Sequence, residues 1–404
     1  FLVIAQDLKI SGTSEGVVSR SFLCKLRKTN PEAEITVRYF KNIKSEDRLD
    51  LLPVDAIEEI YVKRSPPKWV KIINHIYWRI FKASFNDLYL VNQYRRHIKK
   101  IEWKDYDHIF VRSAGNNFET ILACKDLPLL QRATINFHDP YPSSWVPGAD
   151  QILSHFDSNR FKNMREVVQQ AKSCMSPSQT LSEDMENLYG SSKKFFTLPH
   201  QFEPDAFPDF PGYYNIKPKK KVVISYQGAV QLGRNLDILL DAYLALLEEE
   251  GSYKKNTAFV LRITGPYSEA IIKKYMHCSN LIFLGPVSFT ESLYEMQNQT
   301  DILIILENCA GRSNILPGKV PVIASLEKPF LCLSPSKSEM RRLLHEPDFV
   351  ASCDDREEIM QKLESLITSV LENKEFKEDA FRGYFDEKKF GARLKIILRN
   401  GNSV

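Results

Sequence analysis

Short runs of β-branched and aromatic residues alternate along the whole chain with longer stretches in which apolar residues recur every three or four positions. The short runs are typical of buried strands, and the longer stretches are typical of amphipathic helices. Their alternation predicts an α/β fold with parallel sheets and crossover helices. The predicted strands are Phe1–Ala5, Glu34–Tyr39, His108–Arg112, Ala133–Phe137, Val222–Tyr226, Ala258–Ile263, Leu281–Leu284, Asp301–Leu306 and Pro329–Leu333.

The strands fall into two series, and the chain of 404 residues is longer than one hydrophobic core usually organises. Between the series, residues 204–220 carry prolines, aromatics and a lysine run without helical or strand periodicity. We therefore expect an N-terminal Rossmann-like domain over 1–203, a linker over 204–220 and a C-terminal Rossmann-like domain over 221–375. We expect the helical tail, 376–404, to pack back on the N-terminal domain.

Composition narrows the function classes. The 55 basic residues nearly balance the 51 acidic ones, so the chain lacks the strongly positive field of a dedicated nucleic-acid binder. The seven cysteines include no C-x-x-C pair, which argues against a zinc site and a disulfide scaffold and favours a reducing cytoplasm. The opening run Phe1–Ala5 is too short for a signal-peptide core, and no run of about 18 apolar residues predicts a membrane span.

Two sites of candidate chemistry lie in the first half. The first strand leads into a small-residue loop, Ser11–Gly16, whose Gly12 and Thr13 precede a helical stretch, where backbone amides can bind an anion. The alternative is an ordinary turn between strand and helix. His138 follows the fourth predicted strand, where an imidazole can donate to a phosphate or a sugar hydroxyl. Asp139 could fix the tautomer of this imidazole or cap the next helix. The alternative is a structural histidine in an Asx-type turn.

Two further sites lie in the second half. Gly228 ends the first strand of that half, and Arg234 precedes a helix, so a guanidinium and backbone donors could together bind a diphosphate. The alternative is an exposed, solvated arginine. Glu307 follows the strand Asp301–Leu306 and could accept a hydrogen bond from a sugar hydroxyl. Lys319 ends the following loop and would face phosphate. The amides of that loop could bind further hydroxyls, and its residues are Gly311, Arg312, Ser313 and Asn314.

The order of these motifs resembles the large retaining glycosyltransferase family 4, the glycosyl transferases group 1, over about residues 221–345. The matching segments are Tyr226-Gln227-Gly228 with Arg234, Ile263-Thr264-Gly265-Pro266, Ile282 to Val287, Asp301 to Ile305, and Pro317-Gly318-Lys319 followed by Lys328-Pro329. The first half resembles the family more loosely, through Gly12–Gly16, His138 and residues 176–201.

The resemblance implies a GT-B fold, in which two Rossmann-like domains face each other across a cleft. It implies transfer of a sugar, with retention, from a nucleotide-diphosphate donor to a hydroxyl of a glycan or lipid-linked acceptor in surface polysaccharide, lipopolysaccharide or glycoprotein glycan assembly. No metal and no cofactor is implied. Arg234 would contact the diphosphate, Gly265, Pro266 and Val287 would neighbour the ribose and base, and His138 would lie close to the transferred sugar.

Two positions depart from the family pattern. Ala229 stands where the family commonly has an arginine, and Val322 stands where a second glutamate, the ribose ligand, is expected. These departures keep two other hypotheses open. One is a catalytically silent GT-B-like binding or assembly subunit, and the other is a sugar-nucleotide epimerase.

Residues 63–104 form a basic and aromatic stretch. It contains eleven lysines and arginines against two acids, interleaved with tryptophans, tyrosines and phenylalanines. Such a composition suits the interface of an anionic membrane, which would fit a lipid-linked acceptor at the inner face of the membrane. The alternative is an ordinary amphipathic helix pair packed on the sheet. RNA binding is disfavoured, because the chain has no nucleic-acid motif.

Overall fold

A computed structural model describes residues 1–115, 117–142, 154–190, 192–210, 212, 220–231, 233–374, 376 and 379–400. The chain divides into two compact units. Unit 1 contains the described residues up to 207 together with the segment from 386 onward, and unit 2 contains the described residues between 208 and 385.

Within the described part of unit 1, seven strands form one parallel sheet in the order β3-β2-β1-β4-β5-β6-β7. The strands are Leu2–Ala5 (β1), Thr36–Lys41 (β2), Ala56–Tyr61 (β3), Ile109–Arg112 (β4), Ala133–Asn136 (β5), Ser173–Ser176 (β6) and Phe195–Thr197 (β7). The central strands β1, β4 and β5 are buried throughout, as expected for a parallel sheet covered by helices.

The helices of this part of unit 1 are Ser14–Thr29 (α1), Lys68–Phe81 (α2), Phe85–Ile98 (α3), Glu119–Leu122 (α4), His155–Gln170 (α5) and Gln179–Tyr189 (α6). Side-chain hydroxyls cap four of them, because a hydroxyl at the N-cap accepts from the otherwise unpaired amides of the first turn. The capping residues are Thr13, Ser84, Ser154 and Ser178.

Unit 2 contains a parallel sheet with the same kind of strand order as that of unit 1. In its described residues six parallel strands are ordered β10-β9-β8-β11-β13-β15, and a two-stranded ladder pairs β12 with β14. The strands are Val222–Ala229 (β8), Thr257–Thr264 (β9), Leu281–Leu284 (β10), Ile302–Leu306 (β11), Arg312–Ser313 (β12), Phe330–Ser334 (β13), Lys337–Ser338 (β14) and Val350–Ser352 (β15). In both main sheets the strand order reverses beside the first strand of the unit.

The helices of unit 2 are Asp237–Glu249 (α7), Gly251–Asn256 (α8), Ser268–Tyr275 (α9), Phe289–Asn298 (α10), Val320–Ser325 (α11), Glu339–Leu343 (α12) and Arg356–Leu371 (α13). Asp355 caps α13 and accepts from the Glu358 amide, so the acidic cluster lies at a helix N-terminus as its charge favours. A last helix, Glu387–Asn400 (α14), belongs to unit 1, where Phe390 packs edge-on against Phe22 of α1.

Every strand predicted from the sequence is present, and all but one match their expected bounds within two residues. The exception is β8, which continues three residues past its expected end, to Ala229. Of the segment 204–220, residues 211 and 213–219 lie outside the described residues. Its first residues, Pro204–Ala206, form a 3₁₀ turn against unit 1, where Arg20 Nε donates to the Ala206 carbonyl oxygen at 2.8 Å. Among the described residues, no helix is both long enough and apolar enough to cross a bilayer.

Candidate functional site

The reversal of strand order in unit 2 locates a candidate site between β8 and β11. In open α/β sheets ligands bind beyond the carboxyl ends of the strands at such a reversal, because the two crossover connections leave in opposite directions there and open a crevice. Gly228 lies at the carboxyl end of β8, and Glu307 directly follows β11. The two loops are joined by a hydrogen bond of 2.8 Å from the Cys309 amide to the Gly233 carbonyl oxygen.

Lys319, just before α11, reaches back to the end of β8. Its ammonium group donates to the Gln227 carbonyl oxygen and lies 4.3 Å from the centre of the Tyr226 ring, within the range of a cation–π interaction. The position beside Gly228 is occupied by this ammonium group, since a Cβ atom on residue 228 would lie only 2.6 Å from Lys319 Nζ. Glycine at 228 therefore makes room for the lysine.

Arg234 supplies a second cation at the same place. Its Nη1 donates to the Ala229 carbonyl oxygen at 3.1 Å, and the Tyr226 hydroxyl donates to the same oxygen at 3.2 Å. Burial, and next the charge of Arg234, lower the pKa of Lys319 to about 7. Two cations held this close and partly out of water repel each other, so an anion bound between them would be stabilised by both.

Glu307 forms a separate polar group at the end of β11. Its Oε2 accepts a hydrogen bond from the Ser334 hydroxyl at 2.5 Å, while Oε1 is buried without a hydrogen-bond partner among the described residues. Burial raises the pKa of Glu307 to about 7, against the opposing effect of the serine hydroxyls at 334, 313 and 338. A carboxyl group with this pKa can either donate to or accept from a sugar hydroxyl near neutral pH.

The remaining predicted residues of unit 2 are spread along the carboxyl edge. Ser313 and Asn314 are buried, and the Ser313 hydroxyl lies beside Glu307. Gly311 and Arg312 are exposed, and Arg312 lies in the β12 ladder. Gly265 follows β9 with a φ of +103°, and a Cβ there would lie 2.8 Å from the Val230 carbonyl oxygen. Among the described residues, no hydrogen bond, ion pair or ring contact links Pro266, Val287 or Gly311 to the two cations.

In unit 1, His138 lies fully buried beyond β5. Arg112 Nη2 lies 3.1 Å from His138 Nε2, and the His200 ring stacks on the imidazole with centres 5.5 Å apart. Burial, then the charges of Arg112 and His200, lower the pKa of His138 well below its ordinary value, so the ring is neutral. Because a guanidinium group only donates hydrogen bonds, Nε2 must accept and the ring proton is on Nδ1.

Gly12 and Thr13 lie at the start of α1 in unit 1. Gly12 has a left-handed φ of +86°, and the Thr13 hydroxyl accepts from the Gly16 amide as the helix cap. Gly16, the last residue of the predicted small-residue loop, packs so tightly against the Lys9 backbone that a side chain there would collide with it. Thr13 therefore has a structural task that accounts for its position without a ligand.

Two groups of residues escaped the sequence analysis. One is Arg112 and His200, which fix the charge and tautomer of His138. The other is a buried network beside Gly228, in which Arg262 forms a double ion pair with Glu295, and Glu295 accepts from the Gln227 side chain. No local motif marks either group, because their members come from separate strands and helices that only the fold brings together.

No protein-family model matches the chain, and no curated protein sequence matches it. Solved structures do. A trehalose-6-phosphate synthase from Burkholderia multivorans superposes with a TM-score of 0.62 at 10% identity, covering 99% of this chain and 98% of that one. A UDP-GlcNAc 2-epimerase from Neisseria meningitidis superposes with a TM-score of 0.55 at 14% identity, covering 98% and 100%. A lipopolysaccharide outer core galactosyltransferase, WaaB, gives 0.55 at 11% identity, covering 98% of each chain.

The chain has the GT-B fold. Two observations support this conclusion. Each superposition covers nearly all of this chain and of the solved structure, and the two parallel sheets share one strand order. At these identities the likeness shows the GT-B architecture alone, and it does not single out glycosyltransferase family 4 among proteins with this architecture.

Proposed function

We propose that the chain is a glycosyltransferase that moves a sugar from a nucleoside-diphosphate donor to a hydroxyl of a glycan or lipid-linked acceptor. The observation that supports this most is the pair of cations, Arg234 and Lys319, beside Gly228 at the strand-order reversal of unit 2. A diphosphate leaving group needs its charge neutralised as the glycosidic bond breaks, and two preorganised cations supply this.

The other predicted residues have roles in the same proposal. Glu307 accepts from or donates to a hydroxyl of the sugar, and the loop Gly311–Asn314 supplies further donors. Gly265, Pro266 and Val287 neighbour the ribose and base. His138, neutral and with its proton on Nδ1, donates to the transferred sugar, and Gly12 and Thr13 provide amides from unit 1.

From the family resemblance, the proposal adopts sugar transfer with retention of the anomeric configuration and without a metal ion. No protein nucleophile is required, because the departing diphosphate is stabilised while the acceptor hydroxyl attacks from the same face. The acceptors we propose belong to surface polysaccharide, lipopolysaccharide or glycoprotein glycan assembly. We propose a cytoplasmic location, consistent with the seven cysteines, all of which are free.

A second candidate is a sugar-nucleotide epimerase. Three of the similar structures bear on it: a protein described as a UDP-GlcNAc 2-epimerase from Listeria monocytogenes, the S. aureus MnaA in a co-structure with UDP, and the meningococcal epimerase bound to UDP-GlcNAc. The third hypothesis, a silent subunit, draws support from Val322, which is buried where the family has its ribose-binding glutamate.

A thermal-shift screen of sugar nucleotides and nucleoside diphosphates tests the binding step, because a ligand of the native state raises the melting temperature. We expect at least one nucleoside diphosphate to raise it, and Arg234→Ala to abolish most of the shift. Arg356→Ala, which removes an exposed arginine at the start of α13, is the control and keeps the shift. An unchanged shift in Arg234→Ala would remove the phosphate role.

Product analysis then separates the three hypotheses. The transferase releases free nucleoside diphosphate only when an acceptor is present. The epimerase converts the sugar nucleotide without an acceptor, and the silent subunit binds a nucleotide with no turnover of either kind.

A further inference from the structure

Helix α2 exposes most of its apolar residues, unlike the helix that follows it. Helix α3 buries Tyr94 and Ile98 in the core of unit 1, as an ordinary amphipathic helix does. Helix α2 buries only Val70. The two interpretations of the stretch 63–104 therefore separate: α3 is a packed helix, and α2 presents a surface.

One side of α2 is firmly attached to unit 1. Asn74 Oδ1 accepts from the Phe85 amide at 2.8 Å, and the Tyr77 ring lies 5.2 Å from the Phe85 ring. The Trp78 ring lies 6.1 Å from the Phe156 ring of α5. These contacts fix the rotation of the helix about its own axis, so its remaining side must face outward.

The outward side carries an apolar stripe. Ile72, Ile76 and Ile80 are four residues apart and therefore lie on one helical face, with 65%, 62% and 66% of their surfaces exposed. Trp69 and Ile73 extend the stripe, at 53% and 40%. Single exposed apolar residues are common in soluble proteins, but a contiguous stripe marks an interaction surface.

A basic stripe runs beside the apolar one. Lys68, Lys71 and Arg79 are three and then eight residues apart, which also places them on one face, and all three are exposed. Helix α2 contains no acidic residue. The nearest acid on α3, Asp87, is paired with Arg160 at 2.6 Å and so does not neutralise this stripe.

We infer that α2 is an interfacial helix that lies in the surface of an anionic membrane, with Ile72, Ile76 and Ile80 among the acyl chains and the basic stripe at the lipid headgroups. Charge complementarity selects this occupant, since anionic headgroups attract lysine and arginine while the hydrocarbon accepts the isoleucines. A second copy of the chain is disfavoured, because a two-fold interface would bring two basic stripes together.

This inference does not depend on the proposed enzymatic function. It concerns a surface formed entirely by unit 1, and a protein of another activity could carry the same helix. If a lipid-linked acceptor is the substrate, the helix would bring the chain to the surface where that substrate resides.

The test is co-sedimentation of the full chain with vesicles of phosphatidylcholine alone and of phosphatidylcholine with phosphatidylglycerol. We expect binding to the anionic vesicles at low salt, and weaker binding as salt screens the basic stripe. Lys68→Glu/Lys71→Glu/Arg79→Glu should weaken binding more than about tenfold, because each basic residue near an anionic surface contributes measurably to attachment. The charge-matched control reverses the exposed Lys254, Lys255 and Lys273 of unit 2, and it should bind like the parent chain.

A second variant, Ile72→Ser/Ile76→Ser/Ile80→Ser, tests the apolar stripe and should also lose binding, with the melting temperature checking that it folds. If the serine variant does not fold, the charge-reversal variant still tests the inference. Lys68, Lys71 and Arg79 are exposed, so we expect their substitution to leave the fold intact. Absence of binding to anionic vesicles at low salt would overturn the inference. An equal loss of vesicle binding in the unit 2 control would also overturn it. So would a chain that does not bind vesicles but forms a dimer in light scattering, if the serine substitutions dissociate that dimer.

Discussion

Burial shifts the pKa values of Lys319 and Glu307 in opposite directions, because the two side chains carry opposite charges. Burial disfavours the charged form of each, so it lowers the pKa of the ammonium group and raises the pKa of the carboxyl group, both to about 7. Each group can therefore change its protonation when a ligand arrives. Groups with such shifts at the carboxyl edge of a parallel sheet are typical of ligand sites.

The pKa of Lys319 leads to a pH-dependent affinity for nucleoside diphosphates. Below about pH 7 the free protein already carries the ammonium charge, whereas above this pH it must take up a proton in order to bind. We expect the dissociation constant to rise by about tenfold between pH 7 and pH 8.5. The phosphate does not contribute to this change, because its second ionisation has a pKa near 6 and is complete over this range.

Calorimetric titration across this pH range measures the effect, and buffers of different ionisation enthalpy report the proton uptake. Lys319→Arg is the matched variant, because a guanidinium group stays charged throughout. Its affinity should be independent of pH. A parent chain whose affinity is equally flat would show that Lys319 does not contact the phosphates.

At the scale of elements, the sequence was informative where strands are apolar and central. The strands β1 and β11 are runs of buried aliphatic residues, and β4 and β8 each begin with three buried apolar residues, so all four stand out from their neighbours. The strand β3 was missed because it exposes most of its residues, including two glutamates, and β6 because its four residues are mostly small or polar. The three-residue strands β7 and β15 are too short to show any periodicity.

The residues of the candidate site were likewise predictable from the sequence only in part. Local motifs mark Gly228, Arg234, Glu307 and Lys319, since glycine and charged residues after an apolar run indicate the carboxyl end of a strand. The contact between Lys319 and Gln227 spans 92 residues of sequence, and only the sheet order brings the two together. The partners of His138 were missed for the same reason.

Helix α14 supplies a test of how the end of the chain contributes to unit 1. Phe390 is 1% exposed against Phe22, so Phe390→Ala should lower the free energy of unfolding by about 3 to 5 kcal/mol through lost burial and a cavity. Ile396→Ala, on the same helix but 51% exposed, should change it by less than about 0.5 kcal/mol.

Denaturant unfolding followed by tryptophan fluorescence measures this difference, because all four tryptophans precede residue 146 and so report on the first part of the chain. Equal effects of the two substitutions would show that α14 does not stabilise unit 1.

At the scale of the whole molecule, the two units repeat one strand order but carry different polar groups. The carboxyl edge of unit 2 holds two adjacent cations, whereas that of unit 1 holds a neutral histidine with its buried arginine. This difference is what assigns the diphosphate to unit 2 in the proposed function, and the fold alone would not.

Hydrogen–deuterium exchange in the presence of the nucleoside diphosphate that gives the largest thermal shift tests this assignment most directly. A ligand held by Lys319, Arg234 and the neighbouring amides slows exchange in the segments it contacts. We predict slower exchange over residues 226–235 and 311–320. Unchanged exchange in both segments, or protection confined to unit 1, would contradict the account.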